Sequence, residues 1–303
     1  MKRFLVRLSR ILLRTPSLGF GKVRVHPLFI LLVLAAAGLG MWRSVVVLFA
    51  LVSLHELGHA AVANQLGYEV EEVSLLPFGG VAKLSYGSIG FKPRHEAYIA
   101  IAGPFVNLFM IGLAFVCYLT HLWSQDFFEL VVQLNIWIAI FNLLPGLPLD
   151  GGRILRAARS RAIGFESATR EAYRMGLALA AVLLVIGGAS LWAGYPHLGA
   201  LLLGVFLVVS VIVGQREITS ETIRFLDAKR RKGAVVPEVV RAFAAPMDAT
   251  VREVVRQFSP DRYHMVYVRD DNGAVITILE EDELLEEVFQ GHLLYTLRNI
   301  VEQ

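Results

Sequence analysis

His55, Glu56 and His59 stand in the run His55-Glu56-Leu57-Gly58-His59, and their types and spacing can do chemistry. Histidines four apart project from one face of an α-helix, close enough for both imidazoles to share a metal ion. Glu56 is rotated off that line and can reach a water at the ion. This is the H-E-x-x-H pattern, in which two histidines bind zinc and the glutamate acts as general base. The setting sharpens it. The motif lies in Val45–Leu66, a stretch apolar enough to cross a bilayer. About ten residues past Val45, at ~1.5 Å each, His55 would sit roughly 15 Å deep. Ionisable side chains at that depth are costly and mark function.

A catalytic zinc usually has three protein ligands and one open position, so a third ligand must come from elsewhere. His95, Glu96, His121, Asp126 and His197 stand at the ends of apolar blocks, several on the wrong side, and His26 beside Pro27 reads better as an interfacial histidine. Asp150, in FNLLPGLPLDGGR, follows an apolar block beyond Pro145 and Pro148. Those prolines would break a helix and could fold the chain back toward the motif. Gly151 and Gly152 permit close backbone approach. In isolation an aspartate before Gly-Gly is more often a turn residue, and both readings stand on the residues alone.

Composition sets the elements that must hold these groups. Of 303 residues, 55% are hydrophobic and only 18% charged, where a soluble domain is nearer a quarter charged. The excess falls in six long apolar blocks: Val25–Met41, Val45–Leu66, Ala97–Leu122, Phe127–Leu147, Ala172–Ala193 and His197–Val213. The expected fold class is an α-helical polytopic membrane protein of about six spans. The fourth block carries Asn135 and Asn142 and ends in prolines, as a broken helix lining something polar would. The single cysteine, Cys117, excludes an internal disulfide.

The net charge of +3 does not point to nucleic acid, because the basic residues cluster beside apolar blocks. By the positive-inside rule they put both termini in the cytoplasm. Residues 1–24 form a basic segment without the uninterrupted apolar core of a signal peptide. Its residues 1–14 read as a short amphipathic helix on an anionic membrane surface or as a solvated tail. Between the second and third blocks, Pro77, Gly79, Gly80, Gly87 and Gly90 punctuate short β-like runs, the pattern of a small sheet or re-entrant loop at the membrane surface. Its Phe78–Gly80 loop offers an edge to which an unwound substrate could pair.

Residues 25–214 thus form the membrane domain, 215–234 a polar helical linker, and 235–303 a tail of soluble character. The tail predicts a helix over Val251–Phe258, a strand over His264–Val268, a turn at Asp271-Asn272-Gly273, a strand AVITIL and a helix from Glu281.

The chain resembles the site-2 protease family of intramembrane zinc metalloproteases. His55, Glu56 and His59 in one span and Asn142, Pro145, Pro148, Leu149, Asp150 and Gly151 at the end of a later one carry the resemblance, with AGPFVN (Ala102–Asn107) between them. It implies that Asp150 is the third ligand beside His55 and His59, and that one Zn²⁺ is bound per chain. It implies hydrolysis of a peptide bond in a membrane-protein substrate's transmembrane segment, as in regulated intramembrane proteolysis, in a bacterial or archaeal cell membrane. Glu56 would take a proton from the attacking water and hand it to the leaving amine. Asn107 and Asn142 would position the substrate backbone or the developing oxyanion, or else bond helix to helix.

The tail resembles one CBS repeat, an α+β module that pairs with a second copy, which implies a homodimer through the tail. CBS pairs that bind adenine nucleotides carry a small Gly and a Thr or Ser ahead of an Asp; Asp282 fits, whereas Ile276 and Leu279 argue against a nucleotide. Two other classes compete. A membrane metal transporter would need further ligands along a route across the bilayer, and a catalytically silent scaffold or sensor would not need Glu56.

Overall fold

The computed structural model describes residues 18–20, 23–25, 38, 40, 42–76, 79–85, 91–195, 197–231 and 239–302. Most of the first expected span, the basic residues 1–17, His26 and the Pro77–Phe78 corner lie outside the described residues. Among the described residues, six helices carry the membrane part: α1 (Trp42–Gln65), α2 (Pro93–Leu119), α3 (Gln125–Asn142), α4 (Asp150–Ile163), α5 (Phe165–Trp192) and α6 (Leu198–Arg231). Four of them, α1, α2, α5 and α6, are long and apolar enough to cross a bilayer.

Their burial pattern is that of helices in lipid. On α2 the large apolar residues Phe105, Leu108, Phe109, Val116 and Leu119 are exposed, while Ala100, Gly103, Asn107 and Ala114 are buried. Small and polar residues inside and bulky apolar ones outside suit a solvent of acyl chains. The α5–α6 pair follows the same logic, antiparallel, with Gly187 against Leu201, Gly204 against Leu184 and Gly214 against Tyr173.

Four short strands form one sheet in the order β1 (Leu18–Phe20), β2 (Val23–Val25), β3 (Glu69–Leu76) and β4 (Gly79–Ser85). The β3–β4 hairpin is the small sheet expected between α1 and α2. The strands at 18–20 and 23–25 fall within the basic segment 1–24, while residues 1–14, expected as a helix or tail, lie outside the described residues. Val23 and Val25 suit a strand, but their parallel partners, Val73 and Leu75, lie fifty residues on, beyond the reach of any local pattern.

Gly164 separates α4 from α5. Its φ is 85°, in the left-handed region that glycine enters freely, and an added Cβ would meet the Arg256 carbonyl oxygen at 2.6 Å. Gly164→Ala should destabilise the protein by more than about 1 kcal/mol, seen as a lower unfolding temperature in detergent; an unchanged midpoint would contradict this account of the corner.

Residues 215–231, the greater part of the expected helical linker, are the last turns of α6, which runs unbroken for 34 residues. Beyond it a three-stranded mixed sheet has the order β5 (Val239–Pro246), β6 (Arg262–Arg269), β7 (Val275–Glu280), with β5 parallel and β7 antiparallel to β6. Helices α7 (Val251–Val255), α8 (Glu281–Gln290) and α9 (Leu297–Val301) complete it. The expected β6–β7 hairpin is present, its turn closed by Asp270 Oδ1, which accepts from the Asn272 and Ala274 amides.

The sheet and its helices share one core with the membrane part. Phe258, Val266, Leu284, Leu285 and Leu297 cluster with Phe91, Phe165, Phe225 and Leu226. The Phe165 amide donates to the Phe258 carbonyl, and Ser259 Oγ donates to the Arg161 carbonyl. From α6, Lys229 pairs with buried Glu281. Glu281 also accepts from His264 Nδ1 at 2.6 Å, while His264 Nε2 accepts the Ser259 amide at 3.0 Å. Burial pushes the His264 pKa down, which keeps the ring in the neutral form that this pair of bonds requires.

Candidate metal centre

α1 presents His55 and His59 one turn apart, both buried, and Asp150 is the first residue of α4. Their ligand atoms form a near-equilateral triangle. His55 Nε2 and His59 Nε2 are 3.1 Å apart, and Asp150 Oδ2 is 3.1 Å from each. Tetrahedral zinc, with bonds of about 2.0–2.1 Å, holds its ligand atoms roughly 3.3 Å apart.

The opposite edge of each ring sets its tautomer. His55 Nδ1 lies 2.5 Å from Asn107 Oδ1, and His59 Nδ1 lies 2.6 Å from the Ile99 carbonyl oxygen. Both partners are acceptors, so both Nδ1 atoms carry the proton and donate, and in the neutral rings both Nε2 lone pairs face Asp150. Two lone pairs and a carboxylate oxygen converging at 3.1 Å repel one another unless a cation stands between them. Two nitrogens and one oxygen, with a fourth direction left for water or substrate, fit Zn²⁺.

α2 backs this triangle with one stripe of residues. Ile99, Gly103 and Asn107 fall at successive turns of its inner face. A Cβ on Gly103 would stand 2.5 Å from His55 Nε2 and also collide with His59 Nε2, so the missing side chain leaves the space the ion needs. On the far side, Asn107 Nδ2 donates to Asn135 Oδ1 at 2.8 Å, and Asn135 Nδ2 donates to the Val131 carbonyl within α3. Asp150 is brought in by the 143–149 loop. A Cβ on Gly151 or Gly152 would strike the backbone of residues 143–147, the close approach expected of that pair.

The residues marked in the sequence are thus sorted by position. His55, His59 and Asp150 come together, and Glu56, next to His55 on α1, is buried as they are. Of the two expectations for Asn107, substrate positioning or helix-to-helix bonding, the geometry favours the second: it is fully buried and its carboxamide is engaged at both ends, by His55 and by Asn135. Asn142 Nδ2 donates within its own helix to the Ile138 carbonyl at 3.0 Å. Among the described residues, the one cluster with metal-ligand spacing is His55, His59 and Asp150; His95, Glu96, His121, Asp126 and His197 stay out of it. Sequence reasoning missed the Ile99 carbonyl, Gly103 and the role of Asn135. Gly103 had a visible signal, a glycine four residues before Asn107.

The geometry agrees with what this chain is similar to. The model of Peptidase family M50 matches residues 44–125 and 119–183. Stage IV sporulation protein FB of Bacillus subtilis is 30% identical over 276 residues, which cover 88% of this chain and 91% of that protein. A zinc metalloprotease of Methanocaldococcus jannaschii is 34% identical over 182 residues, 54% of this chain and 50% of that protein. The structure of a site-2 protease from Methanocaldococcus jannaschii superposes with a TM-score of 0.52 at 27% identity, covering 75% of this chain and 100% of that one. A relative matched over nearly its whole length and a triangle of buried ligand atoms lead to one assignment: the chain belongs to Peptidase family M50, the site-2 protease family of membrane metalloproteases.

Proposed function

We propose that the protein is a zinc-dependent intramembrane endopeptidase whose ion is held by His55, His59 and Asp150 and whose general base is Glu56. The observation that carries this reading is the triangle of three ligand atoms, each 3.1 Å from the next, made by residues from α1 and α4. When bound, zinc supplies Lewis acidity, which acidifies water and polarises a scissile carbonyl. The chain's own groups do the rest. Ile99 and Asn107 fix the imidazole tautomers. Glu56 accepts the proton of the attacking water and delivers it to the leaving amine.

The substrate of this reading is a transmembrane segment of another membrane protein, unwound at the cut. Four apolar helices and their exposed bulky side chains support a site reached from within a bilayer. Six spans, cytoplasmic termini and a bacterial or archaeal cell membrane remain the proposed topology, supported by the basic residues flanking the apolar blocks. The proposed division is a catalytic membrane domain over 25–214, a linker over 215–234 and a CBS-like module over 235–303. The order β5-α7-β6-β7-α8 suits such a module, and exposed Val239, Val240, Val275, Ile276 and Ile278 suit a homodimer through it. An adenine nucleotide is disfavoured, since Leu279, at a position where such a module needs a small hydroxyl residue, is a buried apolar side chain.

Asp150→Ala tests the ligand assignment. Zinc per purified chain should fall from near one to a small fraction, with loss of cleavage of a co-expressed single-span substrate. Unchanged zinc and cleavage would remove Asp150 from the site.

A further inference from the structure

Each histidine of the triangle is indexed to α2, His59 through the Ile99 carbonyl and His55 through Asn107. The same stripe of α2 begins one turn earlier with Glu96, and Glu96 reaches α4. Arg156, six residues along α4 from Asp150, donates from Nε to Glu96 Oε1 at 2.9 Å, and its Nη2 pairs with the same oxygen. Its Nη1 donates to Glu221 Oε2 on α6 at 3.1 Å. The guanidinium lies 5.8 Å from the centre of the Phe91 ring and 5.4 Å from that of Phe165. Arg156 and Glu96 are both buried.

We propose that Arg156 is a positioning residue for the metal site: by tying α4 to Glu96 it sets Asp150 against the two histidines on the common reference of α2. The proposal rests on the reading of Asp150 as a zinc ligand. A planar guanidinium with donors on two sides fixes both the distance and the rotation of a helix, whereas a lysine ammonium fixes neither. The requirement is geometric. Asp150 Oδ2 must meet two nitrogens at once, and α4 has only the 143–149 loop before it. Slippage of α4 along α2 would carry the carboxylate off the triangle while leaving the helices packed.

The experiment uses the full chain in detergent and reads three quantities: Zn²⁺ affinity by chelator competition, the visible absorption of Co²⁺ bound in place of Zn²⁺, and the unfolding temperature. Arg156→Met alone strands a buried carboxylate, so the informative variant is the double change Glu96→Gln with Arg156→Met. Removing both partners of a buried ion pair often leaves stability intact. Zinc affinity should fall about 10–100-fold, the usual cost of losing a group that orients a ligand. The Co²⁺ bands should shift, and Arg156→Lys should fall in between.

Native zinc affinity and native Co²⁺ bands in the double variant would overturn the proposal, whatever its unfolding temperature. Asp150→Ala separates the two levels. If Asp150→Ala weakens zinc and the double variant does not, the positioning role alone is lost. If Asp150→Ala also keeps native affinity, the ligand assignment fails and the proposal falls with it.

Discussion

Glu56→Gln is expected to stop peptide-bond cleavage while leaving zinc bound. The two side chains have nearly the same shape, so the packing around α1 is kept. The amide cannot take a proton from water. Glu56 is buried, and among the described residues its carboxylate has no hydrogen-bond or ion-pair partner. A buried carboxylate free of protein partners beside two histidines is available to a water. General-base catalysis typically contributes about 10²–10⁴-fold, or roughly 3–5.5 kcal/mol of barrier. Glu56 is not among the three ligand residues, so metal content should stay near one per chain. The check is cleavage of a single-span substrate in reconstituted vesicles beside elemental analysis of the same sample. Cleavage within a few-fold of the parent, with zinc present, would assign the proton transfer to another group.

Gly103→Ala should have an effect as large, reached by another route. Alanine is the better helix former by about 1 kcal/mol, so α2 itself should not weaken. The new methyl group would stand 2.5 Å from His55 Nε2 and overlap the space facing His59. Both histidines are anchored from behind, by Asn107 and the Ile99 carbonyl, and cannot retreat without breaking those bonds. The expected result is a folded protein whose zinc affinity is lower by roughly 10²-fold or more. Full zinc occupancy at unchanged affinity would show that the cradle has room the structure does not show.

The chemistry was legible in the chain because it is local. His55, Glu56 and His59 are one helical turn; Asp150, far along the chain, stayed open between a turn residue and a ligand on the residues alone, and only the family resemblance implied the ligand. The β6–β7 hairpin was legible for the same reason, through Asn272-Gly273. What could not be read depends on partners distant in sequence. Strand β2 exists because β3 pairs with it, and β1 because β2 does. Asn107 looks like any polar residue in an apolar span until α1 and α3 are placed on either side of it. Arg156 reads as one of a run of cytoplasmic arginines, and only the packing of α2 and α6 against α4 separates it from its neighbours.

The core common to Phe91, Phe165, Phe225, Leu226 and the tail residues around Phe258 bears on how such a chain can be inherited and engineered. A regulatory tail hung on a tether can be exchanged between proteins like a cassette. Here the seam runs through the middle of a hydrophobic cluster, so a foreign tail joined after α6 would meet four apolar side chains shaped for another partner. The two regions form one unit of variation: a change in size at Phe225 or Phe165 must be answered across the seam, and recombination that respects the fold has to carry both sides together.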